Sequence, residues 1–166
     1  TSPSIVSNAQ NSLSAMRYTG NSWHGFPRTD TARTIFIVHK QTLASGSSGN
    51  QPLIGYQWTN TNSGWHWHSS NNLCDSFATS HAGTWRYDGT SVTPSSTTRK
   101  SSWAILAIKT NNNVICSSFG LELGSTHRAW KGDLGELIIF NSALSDTKIE
   151  EIEAYLAIKW GLTSSF

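Results

Sequence analysis

Residues 130–162 read WKGDLGELIIFNSALSDTKIEEIEAYLAIKWGL, and a change of period inside this stretch decides the fold. Residues 134–140 (LGELIIF) are apolar and rich in β-branched and aromatic side chains, the composition of a strand. Beyond Phe140 the period lengthens: Ile149, Ile152, Leu156 and Trp160 recur at helical spacing on one stripe. Ser145 or Asp146 is placed to cap the start of that helix and Gly161 to end it.

Working back from this stretch, short strand-like runs alternate with Gly, Ser, Thr and Asn turns. Residues 34–40 (TIFIVHK) and 102–109 (SWAILAIK) are the firmest strands. Residues 53–58 and 84–87 read as shorter ones, and 114–123 as a strand or strand pair. Residues 45–49 (SGSSG), 59–64, the pair Asp88-Gly89 and the triplet Asn111-Asn112-Asn113 read as loops and turns. Many strands followed by one helix exclude a βαβ fold. They predict an all-β, antiparallel β-sandwich with a C-terminal α-helix packed on its rim, one domain over 1–166.

The bulk composition agrees. Charged residues make up 13% of the 166, yet eight Trp and six Phe supply the burial that a disordered chain lacks. The remaining polarity is largely Ser, Thr and Asn, which suits neutral ligands. A net charge of +2 without clustered basic residues argues against nucleic acid. The longest apolar runs have strand length, so no membrane span is expected. Cys74 and Cys116 leave two readings open, a disulfide or two buried thiols.

Residues 130–162 closely resemble the end of the laminin-G-like jelly-roll domains of bacterial and phage type, in the concanavalin A-like lectin/glucanase superfamily. Those domains close on a strand carrying Gly and acidic residues, an Asn-x-x-Leu-Ser turn, and a helix ending Tyr-Leu-x-x-Lys-Trp-Gly-Leu. Here the matching positions are Gly132, Asp133, Glu136, Asn141, Leu144, Ser145, Tyr155, Leu156, Lys159, Trp160, Gly161 and Leu162. Residues 5–20 (IVSNAQNSLSAMRYTG) resemble the family's early Asn-rich strand, and residues 102–109 and 119–124 sit where two central strands are placed. The resemblance implies a concanavalin A-like jelly roll. It also implies a further strand upstream of Thr1, so the chain is expected to belong to a larger polypeptide or assembly. The superfamily hosts sugar-binding modules, adhesion domains, virion decorations and some glycoside hydrolases.

Hydrolysis of a glycosidic bond needs two facing carboxyl groups. The hydrolases of that superfamily carry an E-x-D-x-x-E strand, and nothing here resembles it. Glu122 and Glu136 each stand alone in an apolar run, and Glu136 reads as a structural hydrogen-bonding residue. Glu150, Glu151 and Glu153 read as the solvated face of the helix. No catalytic residue is therefore expected, and a glycoside hydrolase ranks third among the readings.

A metal fares little better. His66, His68, Cys74 and His81 fall within sixteen residues, but their spacing matches no established zinc pattern. Calcium needs several oxygen ligands, and Asp30, Asp75, Asp88 and Asp133 are scattered; Asp133 reads as a turn residue. The expectation is no cofactor.

Aromatic side chains carry the strongest functional signal. Sugar rings present apolar C–H faces that stack on Trp, while their hydroxyls take Asn, Asp and His partners. Trp58, Trp65, Trp67 and Trp85 stand near His66, His68, Asn72 and Asp75, the densest aromatic–polar mixture in the chain. Residues 65–68 (WHWH) alternate with period two, putting both Trp on one face. The competing reading has these Trp filling the core. Trp103 and Trp160 are expected in the core, whereas Trp23 and Trp130 fit either place. The leading expectation is a non-catalytic carbohydrate-binding or surface-recognition module, extracellular, cell-surface or virion-borne. Its partner would be a glycan or cell-surface polysaccharide. The alternative is a virion structural module, a capsid decoration, head-fibre or tail domain, contacting neighbouring subunits.

Overall fold

The computed structural model describes residues 2–42, 51–55, 65–67, 72–74, 82–120 and 130–163. Among them nine strands precede one helix: β1 (Ser4–Gln10), β2 (Leu13–Thr19), β3 (His24–Gln41), β4 (Gln51–Gly55), β5 (Trp65–Trp67), β6 (Ala82–Tyr87), β7 (Thr90–Val92), β8 (Trp103–Phe119), β9 (Lys131–Phe140) and α1 (Asp146–Trp160). The architecture is mostly antiparallel β-sheet with one helix, consistent with an all-β sandwich. The strands pair in the order β1-β2-β9-β3-β8-β4-β5, and the β6–β7 hairpin joins through β6 to β8.

Strand β3 has 18 residues and β8 has 17. Straight strands of that length would span about 60 Å, whereas a chain of this size has a radius of gyration of about 15 Å. The strands must bend, and register slips mark where. Thr34 pairs with Lys109 but Ala32 with Val114, so β8 carries extra residues there, and further slips on β3 restore the register before Gly25. Asn111-Asn112-Asn113 is therefore an exposed bulge inside β8 and not the chain-reversing turn its composition suggests. Extra residues in one strand bend the ladder instead of ending it. The Arg33 guanidinium pins the bulge, donating to the carbonyls of Thr110 (3.2 Å) and Asn111 (3.2 Å).

Beyond the bend, alternation sends side chains to two opposite faces. Ile35 and Ile37 of β3 and Leu106 and Ile108 of β8 enter one core with Tyr18, Ile54, Trp85, Cys116, Phe119 and Trp130. Both halves of β3 and β8 contribute to it. Phe36 and Val38, with Trp103, Ile105 and Ala107, face the other way and meet Ile149, Leu156, Ala157 and Trp160 of the helix. The helix thus covers a face of the central sheet; the rim position expected from the sequence is corrected, because β3 and β8 are apolar on both sides. The helix itself starts and stops as expected: the Ser145 hydroxyl accepts from the Lys148 amide, and Gly161 takes a left-handed conformation at φ 64°.

Strand β9 shows how the C-terminal motif works. Its pairing with β3 slips between Val38 and His39, leaving Gly135 as an extra residue. The slip turns Gly135 and Glu136 both toward the helix. A Cβ at Gly135 would lie 2.6 Å from the Trp160 ring, so glycine admits the indole. Glu136 then accepts from Trp160 Nε1 (3.0 Å) and pairs with Lys159 (2.8 Å), the structural role expected of it. Trp160 stacks on Trp103 with ring centroids 5.4 Å apart.

Two further expectations are corrected. Asp133 lies inside β9, not in a turn, and its two carboxylate oxygens accept from Nε and Nη2 of Arg17 across the β2–β9 pair (2.7 and 2.9 Å). Glu153 is 1% exposed and not solvated, because Arg86 reaches from β6 to it (2.8 Å). Trp130 belongs to the core, while Trp23 is half-buried. Both cysteines are buried thiols, not joined in a disulfide, and burial raises the Cys116 thiol pKa to about 12.

Candidate functional site

The β6–β7 hairpin turns at Asp88-Gly89, with Asp88 at φ 48° and Gly89 at φ 75°, as its composition suggests. Asp88 is buried: it accepts from the Ile105 amide (2.7 Å) and pairs with Lys100, so the turn is locked onto β8. Pairing of the hairpin runs from Tyr87↔Thr90 to Trp85↔Val92 and then stops. Strand β6 continues back to Ala82, but the other arm coils into a turn in which the amides of Ser96 and Thr97 donate to the Thr93 carbonyl. The two arms splay, and a groove opens between them.

The groove has a volume of about 330 Å³ and is lined by Gly83, Thr84, Trp85, Ser91, Val92, Thr93, Pro94 and Ser95. Burial alternates along its outer arm. Ser91, Thr93 and Ser95 are exposed, while Val92 is half-buried and Pro94 buried. Apolar groups thus form the floor and hydroxyls the rim. Trp85, at 5% exposed, is part of the core beneath and reaches the groove only at its margin. Gly83 is a bulge in β6, since Ala82 pairs with Thr110 but Thr84 with Lys109. Bulges interrupt the ladder and recur beside binding sites. Among the described residues the lining holds no charged side chain.

A second segment braces the outer arm. Asn72 bridges to Thr98, its side-chain amide donates to the Ser95 carbonyl (2.5 Å), and the amides of Leu73 and Cys74 donate to Thr97 and Pro94 (2.8 and 3.2 Å). Asn72 therefore holds the backbone of Ser95, one of the lining residues.

Of the residues singled out from the sequence, Trp85 lines this groove and Asn72 bonds to its Ser95 wall. Trp58, His68 and Asp75 lie outside the described residues. Strand β5 places the backbone of Trp65, His66 and Trp67 beside β4, but their side chains are outside the described set. Strands β4 and β6 both pair with the edge of β8 that β3 leaves open, β6 along residues 106–110 and β4 at 118–119. Thr84, Ser91, Thr93, Pro94 and Ser95 were not singled out. Their signal is the run T-P-S-S straight after a hairpin, which is ordinary turn composition.

Among the described residues no group of three His, Cys, Asp or Glu side chains is placed to hold a metal. Asp30, Asp88 and Asp133 are each engaged, with Arg28, Lys100 and Arg17 respectively. His66, His68 and His81, as side chains, fall outside the described residues. Among the described residues no helix is long and apolar enough to cross a membrane.

Comparison with family models, with curated proteins and with solved structures found no match to this chain.

Proposed function

We propose that this chain is a non-catalytic carbohydrate-binding or surface-recognition module on a concanavalin A-like jelly roll. The observation that carries the reading is the β6–β7 groove, with an apolar floor, a hydroxyl rim and, among the described residues, no charged side chain in its lining. Such a surface matches a ligand with apolar C–H faces and many neutral hydroxyls. The aromatic–polar segment that includes Trp65, His66, Trp67, His68 and Asn72 adjoins it in sequence and supplies further stacking and hydrogen-bonding groups. The bent antiparallel strands and the covering helix support the jelly-roll assignment, together with the resemblance of residues 130–162.

The test is a glycan array probed with the whole chain, in calcium and in chelator, beside a Trp65→Ala/Trp67→Ala variant. Selective glycan binding upholds the reading, and its loss in the variant assigns β5 to the site. A folded chain that ignores every glycan sinks it.

A second reading, a virion or surface-assembly module, draws on the sheet edge. Among the described strands β1 pairs with β2 alone, and Ile5 on it is 77% exposed. An unpaired edge is a template for a neighbour's strand. Sedimentation at rising concentration tests it: a single monomeric species throughout, with Ile5→Lys behaving identically, argues against assembly through β1.

A further inference from the structure

We infer that the groove between β6 and the 93–95 turn binds a single uncharged, hydroxyl-rich ring, a neutral sugar residue, and discriminates against acidic sugars. The inference rests on the carbohydrate-binding reading and names the place and the ligand class.

Size sets the first limit. A volume of about 330 Å³ lies at the small end of the range for small-molecule sites, roughly 300–1,000 Å³. One ring fits such a space and a long chain segment does not. Chemistry sets the second. Val92 and Pro94 turn inward while Ser91, Thr93 and Ser95 turn out, and Thr84 stands on the facing strand. Four hydroxyls, each both donor and acceptor, surround an apolar floor. That arrangement pairs with a ring whose hydroxyls also donate and accept.

Charge sets the third. A carboxylate or sulfate entering the groove loses water and gains no cation from the described lining, which has none. The arginine on β6 is already committed: Arg86 holds Glu153 and donates to the Gly89 carbonyl (2.5 Å). The groove is also braced before any ligand arrives. Asn72 and the amides of Leu73 and Cys74 fix the 93–98 arm, and Asp88 fixes the hairpin turn, so little ordering remains to be done on binding.

The experiment is a titration of the full ¹⁵N-labelled chain, followed by amide correlation spectra. The ligands are methyl glycosides of neutral hexoses, with a uronic acid and a sialic acid alongside. Ser91→Tyr, at an exposed strand position, occludes the groove, and Thr84→Val removes one hydroxyl at constant shape. Ser4→Tyr on β1 is the control. A neutral glycoside should shift the amides of 83–84 and 91–95 saturably. Ser91→Tyr should weaken it by about tenfold or more, Thr84→Val by several-fold, and Ser4→Tyr not at all. The acidic sugars should leave those amides unmoved.

Sugar binding that shifts amides elsewhere and survives Ser91→Tyr overturns the placement and keeps the carbohydrate reading. An acidic sugar bound in the groove overturns the claim of neutrality. The absence of saturable shifts with every sugar tested overturns the inference together with the reading beneath it.

Discussion

His39 shows how much a single side chain commits the fold. It stands on β3 among apolar neighbours, fully buried, stacked on Tyr87 at 6.2 Å and edge-on to Trp130 at 6.5 Å. Burial lowers its pKa from 6.5 to about 3, because the imidazolium would lose its water. The folded chain thus keeps His39 neutral while the unfolded chain protonates it near 6.5. Between those values the unfolded state holds more protons, so stability falls as pH falls through the window from about 6.5 to about 3. The slope approaches about 1.4 kcal/mol per pH unit, and none of this loss operates above neutrality. Going from pH 7 to pH 5 should cost the native protein about 2 kcal/mol from this group. His39→Gln, which cannot titrate, should lose about that much less over the same interval in urea melts. Equal losses in the two proteins would mean that the buried imidazole tolerates its proton.

Elements are held to one another by a few polar contacts placed between apolar layers. Arg86 of β6 reaches the helix at Glu153 (2.8 Å) and, less closely, Glu150 (3.5 Å). Glu153 is buried, and burial raises its pKa although Arg86 opposes the shift. Removing one partner strands the other charge. Arg86→Ala should therefore destabilise by about 3 kcal/mol or more. The Arg86→Met/Glu153→Leu pair should recover most of that loss, and a pair as unstable as the single variant would refute the assignment. The sequence had Glu153 on a solvated face because it stands with Glu150 and Glu151 in an acidic run of the helix; nothing local reports an arginine sixty-seven residues away. The same limit explains Asn111-Asn112-Asn113. Local composition favours a turn there, but pairing with β3 on both sides of the triplet absorbs it as a bulge. Where local and tertiary preferences agree, as for the helix with its Ser145 and Gly161 caps, the elements were legible in advance. The groove was not, since it arises where the two arms of a hairpin part company and its hydroxyls look like any turn.

At the scale of the molecule, the central sheet is apolar on both faces, and that arrangement determines what each layer does. One face closes over the core that contains Trp85, Phe119 and Trp130, and the other depends on the helix. The strand-then-helix order made both parts readable in the sequence, but the stripe of Ile149, Leu156 and Trp160 carries no statement of which surface it will cover. The near-continuous apolar runs along residues 34–40 and 102–109 held that answer: an apolar run without polar alternation is a strand buried on two sides. The consequence is quantitative. Ile149, Leu156, Trp160 and Leu162 are each at most 6% exposed, and burying side chains of this size is worth about 2 kcal/mol apiece. Their sum, about 8 kcal/mol, is comparable with the whole net stability of a typical domain, about 5–15 kcal/mol. Ending the chain at Leu144 would also uncover Phe36, Val38, Trp103, Ile105 and Ala107. The shortened chain should lose its near-ultraviolet circular dichroism, bind a dye such as ANS and melt without cooperativity. A shortened chain that keeps a cooperative melt and a native near-ultraviolet spectrum would show that the β-layers stand without the helix, and that the core around Phe119 and Trp130 carries the fold alone.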